Sequence, residues 1–409
     1  MLSGSIAIRA VAENQPDVSI PKNRMTSELS IFTAQLREFI SFQSVDPEVT
    51  DSADDSSLAA HSDAEFGGYA LVLFTLQFKH NAPYRKICEA RGVTPDVVTH
   101  WSQIPAAPAI AFKEMEMTCL LPEQRTTTFL SSGTTDQKHS RHFHNAESLS
   151  IYEASLLPWF AGHVLSRSLS APHAIRFIML TPSPTEARHS SLVHMFETVR
   201  HRLGASDSSF VGRLSPEGTW TLNFEAATTA LEQSCEVGRP IVLLGTAFTF
   251  VHLLDHVVEH GRKFKLPAGS VVMETGGYKG RSRNLPKAEL HTLIVDHLGV
   301  PRSHIVSEYG MSELSSQAYD TGMDSSRITS HESRPFHFPP WARAQIISPE
   351  TGREVADGEP GLIRVFDLAN IFSVMAIQTE DMAIRRGDGF ELLGRAEHSE
   401  VRGCSLMSE

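Results

Sequence analysis

Cysteine is scarce in this sequence: four thiols, Cys88, Cys119, Cys235 and Cys404, are scattered over 409 residues without a C-x-x-C pair. That scatter argues against a disulfide framework and a cysteine-based zinc site, and it fits a reducing, cytoplasmic setting. Basic charge is also short. Lys and Arg number 36 against 48 Asp and Glu, a net charge of -12, and the longest basic cluster is the brief one around Lys279, Arg281 and Arg283. Binding to nucleic acid by counterion release needs a basic stripe, so no nucleic-acid partner is expected. Long apolar runs are missing too. The best stretches, residues 69–78 and 241–254, fall short of a membrane span, the second being broken by Gly245, Thr246 and Thr249. The segment before Met25 has no continuous apolar stretch of the kind a secretory signal carries. Neither G-x-S-x-G nor H-E-x-x-H occurs, and no repeat of fixed period is visible, which leaves hydrolase, zincin and solenoid readings without support.

What is present is a globular composition, 41% apolar and 21% charged. Phe32, Leu36, Phe39 and Ile40 recur at helical spacing and predict a helix over residues 28–42. Residues 44–57 lose all periodicity and carry Asp46, Glu48, Asp51, Asp54 and Asp55, the pattern of a solvated linker. From about Thr126 onward short apolar runs alternate with helical patterns. Residues 128–130, 175–180, 241–244, 271–273 and 305–306 read as buried strands. Phe250, Leu253, Leu254 and Val257 form one helical face, and Leu290, Leu293, Ile294 and Leu298 another, with Pro286 at the start and Gly299 at the stop of the latter. The alternation predicts an α/β core with parallel pairing. After Pro335 the runs 341–348, 361–367, 372–379 and 390–393, separated by Gly- and Pro-rich turns, predict a small antiparallel β subdomain. The expected division is 1–58, a helix and acidic linker; 59–335, the α/β core; and 336–409, the β subdomain with a cysteine-bearing tail.

Four groups of residues carry chemistry. Ser131, Ser132, Gly133, Thr134 and Thr135 follow a strand, and a loop of small hydroxyl residues around a Gly offers N–H and O–H donors to a triphosphate, with Lys138 adding a point charge. An ordinary Ser/Thr turn is the alternative. Glu308, Tyr309, Gly310, Met311, Ser312 and Glu313 end a strand where open α/β sheets bind ligands. A carboxylate there suits Mg²⁺ on nucleotide phosphates, although Glu313 also suits a helix N-terminus, and Tyr309 suits stacking on a base. Glu274, Thr275, Gly276 and Gly277 let backbone approach a ligand closely. Asp381 with Arg395 suits a ribose clamp or a plain surface ion pair. His142 and His144 share one strand face without a third ligand at telling spacing.

Together and in this order, these loops resemble the phosphate, adenine, magnesium and ribose motifs of adenylate-forming enzymes, over about residues 121 to the end. Residues 274–283 (ETGGYKGRSR), 308–320 (EYGMSELSSQAYD) and 394–406 (GRAEHSEVRGCSL) narrow the resemblance to the acyl-protein synthetases of bacterial luminescence fatty acid reductase complexes. The resemblance implies the large-domain fold of adenylate-forming enzymes, parallel sheets flanked by helices, without the usual C-terminal lid domain, since the sequence ends shortly after Cys404. It implies an ATP- and Mg²⁺-dependent ligase that turns a long-chain fatty acid into an acyl-adenylate, takes the acyl group onto Cys404 as a thioester and delivers it to an acyl reductase partner. Carried over residue by residue, Ser131, Ser132, Gly133, Thr134 and Thr135 would hold phosphates with Lys138 assisting, and Glu313 would hold the metal. Gly276, Gly277, Tyr309, Gly310 and Ser312 would line the nucleotide, Asp381 and Arg395 would hold the ribose, and Cys404 would be the acceptor, with Arg395 and Arg402 as candidates for lowering its pKa. Two positions depart from the pattern: Asp136 stands where the loop usually has Gly, and Ser312 where it usually has Thr. The competing readings are a phenylacetate-type acyl- or aryl-CoA ligase and a non-catalytic nucleotide-binding protein.

Overall fold

The computed structural model describes residues 22–43, 55–131, 138–165, 175–216, 218–276, 285–320 and 334–395. Parallel strands buried on both faces are the signature of its centre. β4 (Arg176–Met179), β8 (Ile241–Thr246), β9 (Val271–Thr275) and β10 (Ile305–Tyr309) pair in parallel, with the short β5 (Ser209–Phe210) on the outer edge. Their side chains alternate between two cores. Phe177, Met179, Val242, Leu244, Val271, Met273 and Val306 pack on one face against α5 (Ala146–Val164) and α6 (Ser191–Leu203). Ile178, Leu243, Val272 and Ile305 pack on the other against α7 (Phe224–Val237), α8 (Ala247–Glu259) and α9 (Lys287–Leu298). Two helix-covered faces explain why these strands read as continuous apolar runs. Gly299 closes α9 with φ 71°, a left-handed cap that favours glycine.

The sheet does not stop at β10. β11 (Ala318–Asp320) pairs antiparallel to it, and the sheet continues through β12 (Phe336–His337), β16 (Gly389–Arg395), β15 (Ala376–Arg386) and β14 (Pro360–Asp367) to β13 (Ala342–Ile347), all antiparallel. With β1 (Ala107–Pro108) added in parallel beside β15, twelve strands among the described residues form one sheet. The expected antiparallel C-terminal ladder is therefore present, hydrogen-bonded through β12 and β11 to the parallel strands.

The N-terminal helices do more than the sequence suggests. α1 (Lys22–Gln43) buries Phe32, Leu36, Phe39 and Ile40 as its spacing predicts, and α2 (Asp55–His80) and α3 (Ala82–Ala90) follow. They share a third core with the antiparallel half, in which Phe66, Leu73, Phe74 and Tyr84 lie with Ile363, Val365, Phe366 and Ile377. Of the expected acidic linker, residues 44–54 lie outside the described residues, and from Asp55 the chain is already helical. The strand expected over 372–379 needs correction. Residues up to Met375 form a buried turn, and β15 starts at Ala376 and runs on to Arg386. Among the described residues no helix is long and apolar enough to cross a membrane.

Candidate active site

One cleft of about 2170 Å³ runs along the carboxyl ends of the parallel strands. Ser131, Lys138, Glu274, Thr275, Gly276, Tyr309, Gly310, Ser312, Glu313, Asp381 and Arg395 all line it, so residues up to 264 positions apart in sequence are brought together. The expected residues Ser132, Gly133, Thr134, Thr135, Gly277 and Cys404 lie outside the described residues, as do Asp136 and Arg402.

Ser131 and Lys138, at the two ends of the loop expected to hold phosphates, follow and precede the strands of the hairpin formed by β2 (Thr127–Leu130) and β3 (Arg141–His144). Ser131 N–H donates to Ser140 O at 3.1 Å, and Ser140 N–H donates to Ser131 Oγ at 2.9 Å. Lys138 reaches across to Glu114 at 3.0 Å, both side chains being more than half exposed, a pair worth little in energy but one that holds the ammonium at the rim. Gly276 leaves β9 with φ 68°, the left-handed backbone that a side chain resists.

Glu313 lies in a turn, so the helix-terminus reading of this carboxylate does not hold. It is 5% exposed, and burial pushes its carboxyl up, against hydrogen bonds from Ser140 and Ser312 and the attraction of Arg395. Its position depends on a buried scaffold. Asn370 Nδ2 donates to Glu313 O at 2.8 Å, while Asp367 accepts from the N–H groups of Ser315 and Ser316, both at 2.8 Å. Gln77 of α2 donates to Asn370 O at 2.7 Å and accepts from Met375 N–H at 2.9 Å. His142 Nδ1 donates to Ser312 O at 2.9 Å, which fixes the loop from the hairpin side.

Tyr309 is held rather than free. Its ring is flanked by Phe336, Phe338 and Phe390 at 5.3–6.3 Å, and its hydroxyl donates to Asp381 Oδ2 at 2.9 Å. Burial and the Asp381 charge both push the phenol well up, so it stays a donor. Asp381 and Arg395 are register partners in the β15–β16 ladder, with Oδ1 and Nε 3.6 Å apart, and the guanidinium is largely exposed to the cleft.

The His142 and His144 rings lie 4.2 Å apart, centroid to centroid, and tilted by 49°, near His194 of α6. Burial favours the neutral form of all three and pushes His142 down to about 4. Among the described residues no group of three His, Cys, Asp or Glu side chains is disposed to hold a metal. Sequence reasoning missed His291 and Lys287 of α9, Arg188 and His189 before α6, and Gln317, all of which line the cleft. The Asp367, Asn370 and Gln77 scaffold was missed as well.

A family model described as acyl-protein synthetase, LuxE, matches residues 33–409. The chain belongs to the acyl-protein synthetase family. Among the curated proteins similar to this synthetase are the long-chain-fatty-acid–luciferin-component ligases of Vibrio harveyi and Aliivibrio fischeri. The first is 22% identical over 81% of this chain and 84% of its own length, and the second is 23% identical over 81% and 85%. Among solved structures, 2-hydroxyisobutyryl-CoA ligase in complex with 2-HIB-AMP and CoA superposes with a TM-score of 0.63 at 13% identity, covering 83% of this chain and 69% of that one. An open conformation of the same ligase superposes with a TM-score of 0.59 at 12% identity over 81% and 70%. The acyl-protein synthetase thus has the fold of an adenylate-forming ligase, as the order of its loops implied.

Proposed function

We propose that this acyl-protein synthetase activates a long-chain fatty acid with Mg-ATP and carries the acyl group on Cys404 to an acyl reductase. The observation that carries this reading is the convergence of Ser131, Lys138, Gly276, Tyr309, Glu313, Asp381 and Arg395 on one cleft. In the first step a carboxylate oxygen attacks the α-phosphorus of ATP, the acyl-adenylate forms and pyrophosphate leaves. The donors around the cleft meet the charge that builds on phosphorus. In the second step the Cys404 thiolate attacks the acyl carbon, the thioester forms and AMP leaves.

Mg²⁺ is commonly held by one or two carboxylates plus substrate phosphates rather than by an all-protein cage. Glu313, one of three buried carboxylates that line the cleft with Glu274 and Glu308, fits that mode, and a cation there would relieve the burial of its charge. The metal would supply charge neutralisation at the phosphates. Tyr309, by holding Asp381, orients the carboxylate offered to the ribose.

Intact-protein mass spectrometry after incubation with Mg-ATP and a panel of fatty and aryl acids tests the reading. A hydroxylamine-labile acyl adduct that requires ATP and disappears in Cys404→Ala is the expected result. Acid-dependent pyrophosphate release without any adduct would overturn the thioester step and favour a diffusible acceptor such as coenzyme A.

A further inference from the structure

Glu308 is the last residue but one of β10, and the chemistry above gives it no task. It is 7% exposed and lines the cleft between Glu274 and Gly310. Thr275 Oγ donates to its Oε2, which fixes that oxygen as an acceptor. Its other oxygen folds back over Gly310, so closely that a Cβ there would lie 2.3 Å from Oε1. With Oε2 accepting from Thr275, a proton on Glu308 belongs on Oε1, the oxygen packed beside Gly310.

Of the side chains that face Glu308 among the described residues, Thr275 alone supports its charge. β9 presents Glu274 and Thr275, α5 presents Tyr152, and β11 presents Tyr319. His291 of α9 and Ser307 are taken by Glu274, at 3.3 Å and 2.5 Å. Among the described residues no Lys or Arg pairs with Glu308. Burial and the Glu274 carboxylate push its carboxyl up to about 7, against the Thr275 bond.

We propose that Glu308 receives the carboxylate of the acid substrate, and that it does so only as a neutral carboxylic acid whose Oε1–H donates to one substrate oxygen. This rests on the reading of the cleft as an acid-activating site. An ionised Glu308 would oppose an ionised acid in a buried setting, whereas the neutral form offers the donor that an incoming carboxylate needs. The proton balance is simple. Glu308 keeps its proton through the attack on phosphorus, because the substrate arrives already ionised. Above neutrality the proton must be taken from solvent when the acid binds.

Calorimetric titration of the full chain with a saturated fatty acid below its micelle concentration, without ATP, tests this in two buffers of different ionisation enthalpy. Wild-type protein is expected to take up close to one proton per acid at about pH 8.5 and none at about pH 6, with affinity falling about tenfold per pH unit above neutrality. Glu308→Gln, whose amide retains a donor, should bind the acid without proton uptake and with a flat pH dependence. Thr275→Val, which removes the donor favouring the ionised form, should move the onset of uptake to higher pH. Binding without proton uptake in the wild type, uptake that persists in Glu308→Gln, or no binding of the acid would each overturn the proposal. Proton-linked binding together with no pyrophosphate release on adding Mg-ATP would instead refute the activation reading and leave the role of Glu308 standing.

Discussion

Replacing Asp367 by Asn changes only one atom, yet the structure assigns it a definite cost. Asp367 is fully buried. Its Oδ2 accepts from the N–H groups of Ser315 and Ser316, and its Oδ1 accepts from Ser316 Oγ at 2.7 Å and Ala369 N–H at 3.0 Å. Asparagine has one oxygen and one NH₂ for these two positions. With its oxygen toward Ser315 and Ser316, the NH₂ faces Ala369 N–H, and one buried donor is orphaned; the flipped amide orphans two. The better orientation costs about 1–3 kcal/mol for the orphan, and the two remaining backbone bonds lose their charge assistance at about 0.5 kcal/mol each. Part of this is returned because burial pushes the Asp367 carboxyl up, so the wild type already bears a desolvation cost. The expected net loss is about 2 kcal/mol, read from urea unfolding at neutral pH. Acid-dependent pyrophosphate release should fall by at least about tenfold while the protein remains folded, since Ser315 and Ser316 follow Glu313 directly and a small displacement of the loop is costly to positioning. A variant within about 0.5 kcal/mol of wild type and with unchanged activity would refute the claim that Asp367 holds the loop that carries Glu313.

The buried histidines give stability a pH dependence of known sign. His142 ionises at about 4 in the fold against 6.5 for the free side chain, so its contribution is complete above pH 6.5 and is lost as the pH falls toward 4, about 3 kcal/mol in all. Stability from urea unfolding at about pH 7.5 and pH 5 should differ by about 2 kcal/mol of this, and an equal difference in His142→Asn would count against this assignment. Phe66, fully buried against Trp101 and beneath the Arg343 guanidinium, should cost about 3–5 kcal/mol when changed to Ala, and a loss below about 1 kcal/mol would mean that the N-terminal helices do not stabilise the antiparallel half. Tyr309→Phe removes only the hydroxyl on Asp381; unfolding should ease by about 1 kcal/mol and the KM for ATP should rise several-fold, and an unchanged KM would show that Asp381 needs no such support.

Much of this site could be read from the chain because its parts are short loops after short apolar strands, and each loop carries its own chemistry in consecutive residues. The strands at 241–244, 271–273 and 305–306 were legible for the same reason, as runs too short and too uniformly apolar to be anything but doubly covered strands. The turn before β15 was not. Phe372, Val374 and Met375 look like strand residues, but their segment is bonded to distant parts of the chain: Cys119 N–H donates to Phe372 O, and Asn81 Nδ2 donates to Ser373 O. No local pattern records pairings across more than 250 positions. α2 escaped notice because it lies under other elements on several sides, and its apolar residues therefore do not form a single stripe. Asp367, Asn370 and Gln77 are ordinary polar residues in sequence; only their burial side by side turns them into a scaffold.

The division of the cores bears on the order in which this protein is made. The third core joins residues 29–120 to residues 336–390, with the whole parallel half lying between them in sequence. Gln77 waits for Met375, 298 positions later. During synthesis the parallel half has all its strands and helices by about residue 320, while α1, α2 and α3 still have no ladder to cover. Until then α1 has α5 to pack on and the three helices have one another, but the faces that meet the antiparallel ladder stay exposed to solvent or to chaperones; a nascent chain arrested before β14 should bind a hydrophobic dye and yield its N-terminal helices to protease first.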